Sequence, residues 1–136
     1  MKVQGSYKVT KWEENAYDNI SANSKLSKAS VEYQCSGEIT GRAFVEYLMF
    51  YSHVDPKDQH QSTAEYVGLI RFQGTIKDKS GSVVLLDHGT FREGVASSSL
   101  QIAVGSGTES LQGITGTGMY RADRNGCHIE LDCILP

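Results

Sequence analysis

Six of the seven tyrosines in this 136-residue chain occupy positions of one parity within strand-like segments. Polar and apolar residues alternate around them with a period of two, the pattern of a strand with one buried face. A buried phenol needs a hydrogen-bond partner for its hydroxyl. The pattern therefore predicts an interior with apolar walls and several hydrogen-bonding groups. Its tyrosines are Tyr7, Tyr33, Tyr47, Tyr51, Tyr66 and Tyr120.

Asp87 has the parity of this interior face, between Leu85 and Gly89. Counting back through the preceding turn places it near Ile70 on the neighbouring strand. A carboxylate in an apolar interior is desolvated, which raises its pKa and suits it to general acid or base catalysis. A solvated aspartate at a strand end is the alternative. The catalytic residues are otherwise unknown, and the predicted ligand-binding set is Tyr7, Tyr33, Tyr47, Tyr66, Asp87 and Tyr120.

Two interpretations of this interior remain open. A small barrel is often filled by its own side chains, and the tyrosines could then satisfy one another. A cavity holding a small apolar or mixed-polarity molecule is the other interpretation. Glu13 to Lys25 is rich in turn-forming residues without periodicity, and we interpret it as a long connection covering the mouth of such a cavity.

Other chemistries have little support. His53, Asp55, Asp58 and His60 are metal-ligand types in one loop, but their spacing fits no recognised metal motif. Cys127 and Cys133 share a face six residues apart, roughly 20 Å along a strand, so they cannot form one site. We predict no metal and no cofactor, and three reduced thiols that include Cys35.

Charge and glycine content exclude further classes. A net charge of −3 with scattered basic residues gives no footprint for nucleic acid. The glycine-rich stretch Gly105–Tyr120 lacks the lysine and helix of a phosphate cradle. No apolar run is long enough to span a membrane as a helix. These features predict a soluble, cytoplasmic protein.

The elements that position these residues are strands. About eight alternating segments joined by short turns predict an all-β, up-and-down antiparallel barrel formed by one domain over residues 1–136. A β-sandwich is the alternative. The central strands also carry apolar residues on their outer parity, which predicts a homo-oligomer, most simply a dimer, with Glu46 and Arg71 paired nearby. The outer residues are Phe44, Leu48, Phe50, Val67, Leu69, Val84 and Leu86.

Several motifs carry a resemblance to a known family. They are Val45-Glu46-Tyr47-Leu48-Met49, Tyr66-Val67-Gly68-Leu69, Lys79 to Leu85 before Gly89-Thr90-Phe91, and Gly105-Ser106-Gly107-Thr108 with Leu111 and Gly113. Together they resemble the uncharacterised bacterial domain of unknown function 3224 family over nearly the whole chain. That family is similar to the calycin-like barrel of allene oxide cyclase.

The resemblance implies one further functional hypothesis, and the chain differs from the family pattern at two positions. It implies a cyclase or isomerase that moves a proton through Asp87 or an interior tyrosine. The other hypotheses are a ligand-binding module and a solid barrel that acts in assembly. The chain departs from the family pattern at Glu109, where a glycine is expected, and at Asp87, where many relatives have histidine.

Overall fold

A computed structural model describes residues 1–58 and 61–136. Its eight strands pair in chain order, each antiparallel to the next, and β8 returns to β1 to close a barrel. This confirms the predicted all-β fold. The strands are β1 Lys2–Asn19, β2 Lys25–Gly37, β3 Ile39–His53, β4 Thr63–Ile76, β5 Lys79–Arg92, β6 Val95–Ile102, β7 Thr115–Asp123 and β8 Gly126–Ile134.

The first hairpin differs from the prediction. Glu13 to Lys25 is not a long connection, because β1 continues to Asn19 and β2 begins at Lys25. Two β-bulges, at Thr10 and Tyr17, shift the register of β1 against β2. Each bulge adds one residue and reverses which parity faces inward. The reversals remove the alternation by which a strand is recognised in a sequence.

Two-residue turns join β4 to β5 and β5 to β6. Lys77 and Asp78 have φ values of 48° and 71°, and Glu93 and Gly94 have 52° and 78°. Left-handed conformations at both central residues are typical of the tight turns that match strand twist. The first turn sets the register of Asp87, which lies opposite Gly68. The predicted position near Ile70 is therefore wrong by two residues.

The glycine-rich stretch seals one end of the barrel. After β6 ends, Thr108 continues the pairing with β5: its N–H donates to the Ser82 carbonyl at 2.9 Å, and its Oγ1 accepts from the Ser82 N–H at 2.9 Å. A single 3-10 turn, Glu109–Leu111, then places Leu111 and Ile114 in the core, where they are buried. Glu109 has a φ of 53°, which favours the glycine expected at this position. We call this the packed end.

The seam between β1 and β8 is short. It comprises five residue pairs, from Lys2 opposite Asp132 to Ser6 opposite His128. Beyond Ser6, β1 pairs with β2 alone among the described residues. The β1–β2 hairpin therefore extends past the seam at the end opposite the packed end, which we call the open end.

The outer faces of β3, β4 and β5 carry an exposed apolar surface, the outer patch. It borders a concave groove of about 1090 Å³. The predicted Glu46–Arg71 ion pair does not form, because the Glu46 carboxylate accepts a hydrogen bond from Ser30 Oγ at 2.8 Å. No helix in the described part of the chain is long and apolar enough to cross a membrane. Val84, which was predicted to belong to this surface, is only partly exposed. The members of the outer patch are Phe44, Leu48, Phe50, Val67, Leu69 and Leu86.

Candidate functional site

A cavity of about 650 Å³ occupies the half of the barrel nearer the open end. The other half is filled by apolar side chains such as Ile39, Phe72 and Leu131. The barrel is thus neither hollow throughout nor solid. All six tyrosines predicted to face inward line the cavity. The lining is Tyr7, Val9, Trp12, Glu14, Ala16, Lys25, Tyr33, Tyr47, Met49, Tyr51, Val54, Ser62, Tyr66, Phe91, Ala96, Tyr120, Ala122 and Cys127.

The cavity ends at a connected chain of hydroxyl groups. Tyr47 Oη lies 2.8 Å from Tyr33 Oη, 3.2 Å from Tyr120 Oη and 3.1 Å from Asp87 Oδ2. The Tyr120 hydroxyl donates to Tyr66 Oη at 2.8 Å, and Tyr66 Oη lies 2.7 Å from Ser98 Oγ. Tyr47 is therefore the branch point, since three groups contact its one hydroxyl.

The protonation state of Asp87 decides whether every contact in this chain of hydroxyl groups contains a hydrogen. Tyr47 has one hydroxyl hydrogen, and it donates to Asp87 when the carboxylate is ionised. Because Tyr120 donates to Tyr66, the 3.2 Å contact between Tyr47 and Tyr120 then has no hydrogen. When Asp87 is protonated, it donates to Tyr47 and Tyr47 donates to Tyr120. All five contacts then contain one hydrogen each, so the geometry accommodates neutral Asp87.

Asp87 lies behind the phenols and does not line the cavity, although the sequence placed it in the binding set. Only 3% of its surface is exposed, and its Oδ1 has no hydrogen-bond partner among the described residues. Burial raises the pKa of Asp87 to about 6, partly offset by the hydroxyls of Ser98, Tyr47 and Tyr120. The Tyr47 hydroxyl, which lines the cavity, lies 3.1 Å from Asp87 Oδ2 and so connects this carboxyl group to the cavity wall.

Two glycines make room for the phenol rings. A Cβ on Gly68 would lie 2.6 Å from Tyr47 Cδ1, and one on Gly89 would lie 2.6 Å from Tyr66 Cζ. Such distances are far inside van der Waals contact. Glycine at these two strand positions allows a close approach that any larger residue would prevent.

The Tyr7 hydroxyl is not part of the connected chain of hydroxyl groups. Its Oη is buried and makes no hydrogen bond of good geometry to a described residue. The ring packs edge-on against Tyr33, with centroids 4.9 Å apart. Cys127 lies beside it on the cavity wall, and burial raises the pKa of this thiol despite the nearby phenol. Tyr7 is therefore a buried phenol whose hydroxyl has no hydrogen-bonding oxygen or nitrogen among the described residues.

The sequence interpretation missed three residues at the cavity mouth. Trp12 and Glu14 face the cavity because the bulge at Thr10 reverses the inward parity after Val9. Trp12 Nε1 donates to Glu14 Oε1 at 3.1 Å. Lys25 shares the parity of Tyr33 on β2 and lies with its Nζ 4.9 Å from the Tyr51 ring centroid. Extending the β2 alternation back to Lys25 could have found it.

The candidate metal ligands and the cysteines noted in the sequence do not form a site in the structure. His53 is the last residue of β3 and Asp55 and Asp58 lie in the loop after it, whereas His60 lies outside the described residues. Asp55 Oδ1 accepts from the N–H groups of Lys57 and Asp58, as in an ordinary turn. No cluster of three potential metal ligands occurs in residues 1–58 and 61–136. All three cysteines are free thiols.

These features define an eight-stranded antiparallel barrel, closed at one end, with a phenol-lined cavity at the other. The chain belongs to the family described as protein of unknown function (DUF3224), whose model matches residues 3–132. This confirms the family resemblance seen in the sequence. No curated protein matches the chain.

A solved structure supports the same fold. The crystal structure of a protein with unknown function from the DUF3224 family of Shewanella oneidensis MR-1 is similar, with a TM-score of 0.82 and 24% sequence identity. The match covers 100% of this chain and 97% of that one. At this identity the likeness establishes the fold and leaves activity open.

Proposed function

We propose that this protein binds a small, largely apolar molecule in the open half of its barrel. The observation that carries the proposal is the cavity of about 650 Å³, lined by six tyrosines. Typical ligand pockets measure about 300–1,000 Å³ and combine apolar walls with a few polar groups. The cavity also argues against a wholly solid barrel. Three free thiols fit a reducing compartment such as the cytoplasm.

Filling the cavity tests the proposal. Ala96 lines the cavity, and the neighbouring Ser97 is exposed on the outer face of the same strand. Native mass spectrometry of protein taken from cells should reveal a co-purifying molecule. Ala96→Phe should lose it, because the ring occupies the same volume, and Ser97→Phe should retain it. The proposal is contradicted if both variants fold and retain the molecule equally. It is also contradicted if the wild-type protein contains no molecule and binds none from a cell extract.

Proton transfer on the bound molecule is a second candidate function. The observation that favours it is the buried Asp87 carboxyl, linked to the cavity through Tyr47. Tyr47 can donate its proton to a bound molecule and receive the Asp87 proton in return, leaving Asp87 ionised. The reverse transfer restores both groups, as an isomerisation or cyclisation requires. Asp87→Asn should abolish turnover of any molecule the cavity converts, with binding retained.

We also propose that two copies of the chain pair through the outer patch. Its six side chains are 37–57% exposed and leave on the order of 500 Å² of apolar surface uncovered. That is about the apolar share of a standard interface, which buries roughly 800 Å² per partner. Lys28 and Glu46 both border the groove, so a two-fold arrangement can bring opposite charges together.

A further inference from the structure

The composition of the cavity wall indicates the kind of molecule that fits it. Eight aromatic side chains line the cavity: Tyr7, Trp12, Tyr33, Tyr47, Tyr51, Tyr66, Phe91 and Tyr120. The whole chain has only twelve, namely seven tyrosines, four phenylalanines and one tryptophan. Aromatic rings pack best against other π systems in stacked or edge-to-face arrangements. The walls therefore favour a planar conjugated molecule over a flexible aliphatic one.

The two charged residues in the lining differ in how they are held. The Glu14 carboxylate accepts from Trp12 Nε1 and lies near Tyr51, where burial and this carboxylate together raise the pKa of the phenol. The Lys25 ammonium contacts the Tyr51 ring and forms no ion pair with any described residue. Neither Glu14 nor Lys25 forms an ion pair with a described residue. They differ because the Glu14 carboxylate already accepts a hydrogen bond, whereas the Lys25 ammonium donates none to a described residue and can donate to a ligand.

The inner end of the cavity offers neutral hydrogen-bonding groups. The Tyr33 and Tyr47 hydroxyls lie 2.8 Å apart at this end, and the buried Tyr7 hydroxyl makes no hydrogen bond to an oxygen or nitrogen of a described residue. A neutral oxygen on a ligand would suit this end, because an anion there would lie close to Asp87. The charged group of a ligand belongs at the mouth, beside Lys25.

We propose that the cavity takes a planar conjugated molecule with one acidic group, which pairs with Lys25 at the mouth while the rings lie among the phenols. This inference rests on the proposed binding function and names its ligand class. The site is built from β1, β2 and β3 at the mouth, and from the hydroxyl chain at the inner end. A charge-assisted hydrogen bond to the ammonium supplies the preference for an acid.

Three matched probes test the inference by isothermal titration calorimetry. They are 2-naphthoate, 2-naphthalenemethanol and 2-naphthylmethylammonium, which share a ring system and differ in charge. The wild-type protein should bind the carboxylate about tenfold or more tightly than the alcohol, and the ammonium most weakly. Lys25→Met should remove the preference, and Lys25→Arg should keep it. Lys28→Met, which removes a lysine from the outer face of the same strand, should also keep it.

The outcomes separate the two proposals. If the alcohol or the ammonium binds as tightly as the carboxylate, the acidic ligand class is wrong, although the cavity still binds molecules. If none of the three probes binds, the planar aromatic class is wrong, and the co-purification experiment with Ala96→Phe independently decides the binding function. A preference that survives Lys25→Met would remove Lys25 from the site.

Discussion

Asp87 makes the stability of the protein depend on pH in an unusual direction. Its pKa rises from 3.8 to about 6 on folding, so the folded chain holds this proton more tightly than the unfolded chain between those values. The free energy of unfolding should therefore fall as the pH rises from about 4 to about 6, by roughly 3 kcal/mol from this group. Asp87→Asn should lack that fall. Urea unfolding at several pH values measures it.

A matched control accounts for the other carboxylates. Asp78 is exposed in the β4–β5 turn with a φ of 71°, which asparagine tolerates well. Asp78→Asn should therefore retain the wild-type dependence on pH. If Asp87→Asn and Asp78→Asn give the same profile, Asp87 does not carry a raised pKa in the folded protein.

The sequence was sufficient to predict which tyrosine residues face inward, but not which groups their hydroxyls bond to. Parity alone placed Tyr47 and Tyr66 on one face, because both strands run without an irregularity through these positions. Which hydroxyl meets Asp87 depends on the curvature of the barrel and on the gap left by Gly68 opposite it. Neither is encoded in the spacing along one strand.

At the scale of elements, the turn after β6 determines the strength of the packed end. Leu111 is fully buried there, whereas Val104 in the same connection is 85% exposed. Leu111→Ala should lower the free energy of unfolding by about 2–5 kcal/mol, because it removes packed methyl groups and leaves a cavity. Val104→Ala should change it little. Similar unfolding midpoints for the two variants in urea would show that the turn is a loosely attached loop.

The elements themselves were largely predictable, and the exception has a physical cause. Strands β2 to β8 follow from alternation and from turns such as Glu93-Gly94 between β5 and β6. The second half of β1 could not be predicted in this way, because it has bulges at Thr10 and Tyr17 and a mostly exposed surface. Its pairing is fixed by β2 across the hairpin, and such long-range pairing leaves no periodic signal in β1 itself.

At the scale of the whole molecule, the outer patch should govern association. Leu69 is 57% exposed near its centre, and a charge there would be buried unpaired on pairing. Wild-type protein should sediment as a dimer at micromolar concentration, and Leu69→Asp should sediment as a monomer. Val104→Asp, at the packed end, should remain a dimer. A wild-type monomer, or a dimer unaffected by Leu69→Asp, would place any contact elsewhere.

The short β1–β8 seam has a consequence for how the molecule avoids aggregation. From Lys8 onward, β1 has one side on which no described strand pairs with its backbone. Such an edge can recruit a strand from another molecule and extend the sheet without limit. Charged Lys8, Lys11 and Glu13 along it, together with the two bulges, oppose that addition. The irregularity that turns Trp12 toward the cavity therefore also protects the exposed edge of the barrel.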